Sequence, residues 1–462
     1  MRNTIALNRY LQRHAQSGLP SHSFSRPHWH QVLVVPAYRE SPSLLDRLTR
    51  IPAGEGVTLV ILVLNRPDSD QDTLANAKLR DALKQSGLPQ ATRGSVAVYG
   101  LNPNTDLYLY DMELQHGPTP HSQGVGLARK TGCDIALQWR AAGGISGQWL
   151  CSTDADATLP QTYFSQLASA IPNTAAAVFP FRHTAGADEV TNAATALYEL
   201  RLHHYVLGLD YAGSPYAFHT LGSALAIQFS AYAHVHGFPK RAGGEDFYLL
   251  NKLAKLGSVA RLQGDCIELQ SRLSTRVPFG TGPAVAALAA AEHPQGAPLF
   301  YHPQSFAALA ALLKGLPALA ARPEQDLAAL LSEVKASEVS GDSAAVSAGP
   351  SIPIKAANAL TALGIESALD HCRRHASSPE HFVRHFHQWF DGFRTLKFIH
   401  ALRDDGLPMR SLAQLNGLVP QLWPAEPEER RSTGARGIKD SDRSLSSVIA
   451  LQWAVRRHWR WR

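Results

Sequence analysis

Five short stretches of this sequence carry side chains whose types and spacing could do chemistry. In Ser152-Thr153-Asp154-Ala155-Asp156-Ala157, two carboxylates stand one residue apart just after the apolar segment that begins at Gln148. Paired oxygen donors of this kind suit Mg²⁺ or Mn²⁺, with a phosphate completing the shell. Such a cation would neutralise the charge that develops on a leaving diphosphate. Read structurally, the same acids are a solvated loop that caps the following helix. Gly243-Gly244-Glu245-Asp246 precedes the apolar-periodic run Phe247–Leu256. Acids are favoured at a helix N-terminus, and these two also supply a candidate general base for a hydroxyl group.

The other three stretches suit anionic ligands. Gly124-Val125-Gly126 opens a helical segment with Arg129 and Lys130 about one turn in, so backbone amides and two cations could meet an anion there. The third glycine of a dinucleotide fingerprint is missing, and the segment does not follow the first strand, which disfavours a nicotinamide enzyme. Arg272 and Arg276 stand beside a Gly-rich loop ending at Gly282 and suit a diphosphate or carboxylate. Val35-Pro36-Ala37-Tyr38-Arg39-Glu40 ends a β-branched run and builds a ligand-facing turn. In each case a plain surface turn is the structural alternative.

These residues need elements to hold them. Gln31–Tyr38 and Val57–Asn65 are apolar runs too continuous for one-sided strands, and they read as buried parallel strands. Leu44, Leu45, Leu48 and Ile51 lie between them at helical spacing, which makes a βαβ unit. Alternation continues with a helix over 72–86, a strand near Val96–Leu101, the helix from Gly124, and a strand running into Asp154. A helix from Pro160, a strand near Val178 and a long helix from Thr191 follow. The order predicts an open, mostly parallel sheet with helices on both faces, and ligands bind outside the carboxyl ends of such strands.

Length and composition set the limits. At 462 residues the chain exceeds what one hydrophobic core organises. The expected division is an N-terminal helix and linker over 1–28, an α/β domain over 29–285, Ala/Leu-rich helices over 286–336, and a flexible linker over 337–354. A helical region over 355–424 and a polar linker with a basic amphipathic helix over 425–462 complete it. The aromatic stripe Phe382, Phe386, Trp389, Phe390 and Phe393 needs a partner surface. A net charge of +6 is too small for a nucleic-acid-binding signature. The cysteines Cys133, Cys151, Cys266 and Cys372 form no CxxC pair, so they indicate neither zinc nor a disulfide framework. No signal peptide or long uninterrupted apolar span is legible, so the expected compartment is by default the cytoplasm. The terminal Trp/Arg-rich helix leaves two readings open. It either docks on the protein's own surface or contacts anionic lipid on the inner membrane face.

Taken in order, VPAYRE, GVGLARKTG, STDADA and the segment from Thr220 to Gly257 that ends in the Glu245-Asp246 pair resemble family 2 glycosyltransferases of GT-A fold. The resemblance spans about residues 30–285. It implies a hexosyltransferase-class enzyme that moves a sugar from a nucleoside-diphosphate sugar to a hydroxyl acceptor with Mg²⁺ or Mn²⁺. By the same resemblance Pro36, Ala37, Tyr38, Glu40, Asn65, Arg129, Lys130 and Asp154 would serve the nucleotide sugar, and Asp154 and Asp156 the metal. Gly222, Glu245, Arg272 and Arg276 would face the acceptor, and Asp246 would be the base of an inverting reaction. Where the family often has an acid after the second strand this chain reads Asn65-Arg66-Pro67-Asp68, which leaves the nucleobase open. The usual Asn of the helix motif is Lys130. A missing QxxRW motif argues against a processive synthase. A nucleotidyltransferase would need a Gly-rich basic loop where PAYRESPS stands. A catalytically inactive binding module would not need the acids at 154, 156, 245 and 246.

Overall fold

The computed structural model describes residues 2–170, 172–274, 280–321, 327–333 and 351–415. Arg276, most of the expected 337–354 linker and the basic terminal helix lie outside the described residues. The chain forms two compact units, residues 1–192 with 220–286, and residues 193–219 with 287 onward. The stretch 193–219, read in sequence as α/β domain, thus belongs with the helical unit. The linker's last residues are helical, since a helix begins at Ile352.

The first unit is built on β1 (Gln31–Ala37), β2 (Thr58–Leu64), β3 (Gln90–Arg93), β4 (Val96–Asn102), β5 (Thr105–Asp111), β6 (Trp149–Ser152), β7 (Ala157–Thr158), β8 (Thr174–Val178), β9 (Phe181–Thr184), β10 (Leu225–Gln228), β11 (Ser258–Arg261) and β12 (Ile267–Gln270). Nine of them form one sheet in the order β11-β8-β10-β6-β1-β2-β5-β4-β3, and β7-β12-β9 form a second, small one. Within the large sheet only β4 and β10 run against the rest. The strands β1 and β2 are covered on both faces, which is why their sequences are continuously apolar. Pro36 sits inside β1. Pairing with β6 ends at Val34↔Ser152, so the missing Pro36 N–H falls beyond the point where β6 leaves the sheet.

Seven strands, β3, β5, β7, β9, β10, β11 and β12, were not expected from the sequence, and one expected helix is reduced. β5 was not legible, because its apolar run Leu107–Tyr110 is short, has polar residues on both sides and follows β4 by a tight hairpin. The helix expected from Pro160 is only a short 3₁₀ segment, Ser165–Ser169. The helix Gly124–Ala141 lies on β1 and β2, and Gly132 permits the approach. A Cβ there would stand 2.4 Å from Val34 and 2.9 Å from Val63.

The N-terminal helix Arg2–Arg13 is fastened to this helix by a buried polar knot. The Asp134 carboxylate, fully buried, accepts from the Tyr10 hydroxyl (2.5 Å), the Tyr232 hydroxyl (3.0 Å) and the Gln16 N–H (2.8 Å), and pairs with Lys130 at 3.1 Å. In the helical unit, Phe382, Phe386 and Phe390 of the aromatic stripe are buried with Leu309, Leu312 and Phe398. The helix Pro303–Ala321 is long and apolar enough to cross a membrane, and its Phe306, Leu309, Leu312 and Leu316 lie in this core.

The Asp134 knot makes a clear prediction. Asp134→Ala leaves Lys130 buried without its counter-charge, a loss of about 3–5 kcal/mol. Chemical denaturation should register that loss, with faster proteolysis near Arg13. A change under about 1 kcal/mol would show that the knot does not hold the helix.

Candidate active site

The ends of β1, β2, β5 and β6 lie along one edge of the sheet, because these four strands run in parallel. β10 runs the other way, so the residues that precede it lie at the same edge. Its Leu225 pairs with Ser152. Asp154, two residues beyond β6, and Gly222, three residues before β10, are thereby brought together from distant parts of the chain. The small sheet adds a third arm. In the antiparallel pair β7–β12, Leu269 faces Ala157, so the chain leaving β12 toward Arg272 passes the residue that precedes β7, Asp156.

Arg129 sits at the centre. Its side chain is 3% exposed and its guanidinium spends its donors on four acceptors. Nε donates to Glu245 Oε1 (3.1 Å), Nη1 to Ser152 Oγ (2.7 Å) and the Gly222 carbonyl (3.0 Å), and Nη2 to Asp154 Oδ1 (2.7 Å). Gly222 has to be a glycine here, since a Cβ would lie 2.6 Å from Arg129 Nη2. The Gly222 N–H in turn donates to Asp246 Oδ2 at 2.8 Å, and the Phe247 N–H donates to Asp246 Oδ1 at 2.7 Å. Gly244, at φ +66, takes the left-handed turn that starts the helix Glu245–Leu256. Asp154 and the Glu245/Asp246 pair therefore belong to one hydrogen-bonded assembly.

The two acids of the second pair differ in environment. Glu245 is buried against Arg129. The Asp246 carboxyl is pushed up to about 7, first by burial and then by the adjacent Glu245 charge, against the pull of the Phe247 N–H, Arg129 and the Gly222 N–H. An acid poised there can hold or accept a proton near neutrality.

Asp156 is placed differently from Asp154. Its Oδ2 accepts from Arg272 Nε (2.9 Å) and Nη2 (2.5 Å). The Arg272 Nη2 also lies 3.6 Å from Glu40 Oε1, and Arg47 Nη2 lies 3.9 Å from Glu40 Oε2. Arg47 Nε donates to the Ala155 carbonyl at 3.0 Å, tying the short helix Leu44–Thr49 to the acidic loop. The side chains of Asp154 and Asp156 are 41% and 26% exposed, so their carboxylates are within reach of a hard cation. Among the described residues no group of three or more His, Cys, Asp or Glu could hold a metal ion. A cation here would need phosphate oxygens beside the two carboxylates, which is the donor set Mg²⁺ favours.

The remaining expected site residues fall as follows. Tyr38 leaves β1 and donates from its hydroxyl to Asp70 Oδ2 at 2.5 Å, while Arg39, at φ +53, clasps the same carboxylate through Nε (2.8 Å) and Nη2 (2.7 Å). Pro36 and Ala37 are strand residues paired with Val63 and Leu64. Glu40 is buried among arginines, and Asn65 is buried with its carbonyl accepting from Asn76. Arg129, expected to approach the diphosphate, is sequestered under the acids instead. Lys130, expected beside the nucleotide, is buried in the Asp134 knot. Successive helical residues point about 100° apart, so the two cations cannot serve one site. Arg272, expected on the acceptor side, is paired with Asp156.

Sequence reasoning missed Asp70, Arg47 and a buried network at the ends of β2 and β5. There Arg66 pairs with Glu113 (2.5 Å) and Arg80 with Glu113 (2.6 Å) and Asp111. Asp70 lies in the polar run Asn65–Asp72, where nothing in the spacing separates it from its neighbours.

No protein-family model matches the sequence, and no curated protein matches it. Among solved structures, S. aureus TarS 1–349 in complex with UDP-GlcNAc matches with 11% identity and a TM-score of 0.36, over 79% of this chain and 91% of that one. A mannosyltransferase from Pyrobaculum calidifontis in complex with GDP-Man and Mn²⁺ matches with 16% identity and a TM-score of 0.33, over 84% of this chain and 95% of that one. At those scores the likeness carries nothing about this chain's chemistry, which is read from its own residues.

The raised Asp246 carboxyl also bears on stability. Its folded value lies above the ordinary aspartate value of about 3.9, so its contribution is fully present below that pH and is lost as pH rises toward about 7. Asp246→Asn cannot ionise and escapes this loss. Its melting temperature relative to wild type should climb with pH across that window and then level off. A difference that stays constant with pH would contradict the assigned environment.

Proposed function

We propose that this chain is a glycosyltransferase that moves a sugar from a nucleoside-diphosphate sugar to a hydroxyl acceptor. The observation that carries the reading is the Arg129 assembly, which fixes the Asp154/Asp156 loop and the Glu245/Asp246 helix start in one cluster at the carboxyl edge of the sheet. That edge is where open α/β sheets bind ligands. The four ordered motifs that resemble family 2 glycosyltransferases meet at this edge. An inactive binding module would not need a carboxyl tuned to neutrality, and a nucleotidyltransferase would need a basic Gly-rich loop after β1.

In this reading Asp154 and Asp156 are the residues that would hold Mg²⁺ or Mn²⁺ together with the donor's phosphates. When bound, the cation would offset the negative charge gathering on the departing diphosphate. Tyr38, held by Asp70, lines the nucleotide side. Asp246 takes the proton from the acceptor hydroxyl as its oxygen attacks the sugar's anomeric carbon and the bond to the diphosphate breaks, which inverts the configuration. The two backbone amides occupy one lone-pair direction on each Asp246 oxygen, and a carboxylate has about four such sites, so acceptance of a further proton is open. Glu245 keeps Arg129 charged and placed, and its own charge raises the basicity of Asp246. The protein works in the cytoplasm in this proposal, with contact to anionic membrane through the terminal helix as an open part of it.

Turnover is expected to rise with pH through about 7 as Asp246 ionises. Asp246→Asn should lower kcat by at least about 100-fold with donor affinity nearly unchanged. Rate measurements with a nucleoside-diphosphate sugar as a function of pH, paired with calorimetric donor binding, check both. Collapse of donor affinity in the variant would instead make Asp246 a binding group.

A further inference from the structure

The Asp156–Arg272 pair stands where two ligands would have to bind. Arg272 directs both Nε and Nη2 at the single oxygen Oδ2 of Asp156. A divalent cation coordinates carboxylate oxygen at about 2.0–2.2 Å, and it cannot settle beside a guanidinium nitrogen 2.5 Å from the same oxygen, because the two positive charges would share one acceptor. The pair is only half-buried, with Asp156 at 26% and Arg272 at 33% exposure, so either partner can be reached from solvent. Arg272 has a second anchor in Glu40, whose side chain is 6% exposed and is also approached by Arg47. Arg272 therefore does not lose all its anionic company if Asp156 turns away.

We infer that Asp156 and Arg272 form a latch that opens by exchange of partners when a nucleoside diphosphate and a divalent cation bind together. Arg272 passes from the Asp156 carboxylate to the diphosphate, whose oxygens match its planar fork. Asp156 passes from Arg272 to the cation. With both ligands bound, each of the pair exchanges one opposite charge for another, whereas the cation alone costs Arg272 its Asp156 carboxylate and the diphosphate alone costs Asp156 its Arg272 guanidinium. Glu40 holds the Arg272 guanidinium near the site in both states, and Arg47 helps hold Glu40. The inference rests on the proposed nucleotide-sugar reading and assigns Arg272 to the donor's diphosphate. It turns the site into one that accepts cation and nucleotide cooperatively and leaves Asp156 closed to stray cations.

The test is a pair of calorimetric titrations of the full-length protein, Mn²⁺ with and without saturating uridine, guanosine or thymidine diphosphate, and each diphosphate with and without Mn²⁺. In the wild type each ligand should tighten the other by the same factor, at least about tenfold, as linkage requires. In Arg272→Gln, Mn²⁺ alone should bind at least about threefold tighter than to wild type, since its competitor is gone. The diphosphate should bind more weakly to that variant, and the mutual factor should fall toward one. Glu40→Gln should weaken diphosphate binding and should not tighten Mn²⁺ alone, the opposite of Arg272→Gln for the cation, a split that loss of folding would not give. Unchanged Mn²⁺ affinity in Arg272→Gln, with the wild-type coupling retained, would overturn the latch and leave a fixed structural ion pair. Failure of uridine, guanosine and thymidine diphosphates alike to bind the wild type would overturn the functional reading instead. The Mn²⁺-only comparison between wild type and Arg272→Gln would still report on competition for Asp156.

Discussion

A single buried guanidinium, that of Arg129, is the constraint on which the site depends. Taking such a charge out of water is expensive unless its donors all find acceptors. Here the acceptors come from four places in the sequence: Ser152, Asp154, the Gly222 carbonyl and Glu245. Satisfying Arg129 therefore amounts to assembling the site. The strand directions are what make this feasible, since β10 runs against β6 and returns Gly222 to the edge where Asp154 leaves the sheet. Gly222 does double duty, accepting from Arg129 through its carbonyl and donating to Asp246 through its N–H.

The same residue pattern distributes charge unevenly. Glu245 faces Arg129 directly, whereas Asp246 faces backbone amides and the Glu245 charge, and so it is the acid whose proton is loosely held near neutrality. Asp154 is tied to the fixed, buried Arg129, and Asp156 to the half-exposed Arg272. One acid of that pair thus belongs to the rigid assembly and the other to a partner that can move. The difference follows from origin: Arg129 rises from a helix packed on the central strands, while Arg272 is on the chain that leaves the small sheet.

Much of this was legible in the sequence, and the gaps have physical causes. Continuous apolar runs identified β1 and β2 because both faces are covered, and the acids at 154, 156, 245 and 246 stood at element ends, where their grouping could be read. β5 escaped because its apolar run is short, bounded by polar residues and joined to β4 by a tight hairpin. Side-chain direction was the main loss. Arg129 and Lys130 are neighbours in sequence, yet one anchors the site and the other is buried with Tyr10 and Asp134. Glu40 was expected to meet ligand, but Arg47 and Arg272, which bury it, come from elements whose approach no local spacing reveals. Asp70 contributes through a contact with Tyr38 and Arg39 that no period marks.

In the proposed function this edge of the sheet breaks the bond between a sugar and a nucleoside diphosphate. Phosphorus NMR of the purified protein with a panel of uridine-, guanosine- and thymidine-diphosphate sugars, with and without Mn²⁺ or Mg²⁺, measures that directly. At least one donor should yield its free nucleoside diphosphate, slowly to water and faster with a hydroxyl acceptor, with release suppressed in Asp154→Asn. Release of pyrophosphate with formation of a nucleoside monophosphate-linked product, or no turnover of any donor together with no nucleotide binding, would contradict the claim.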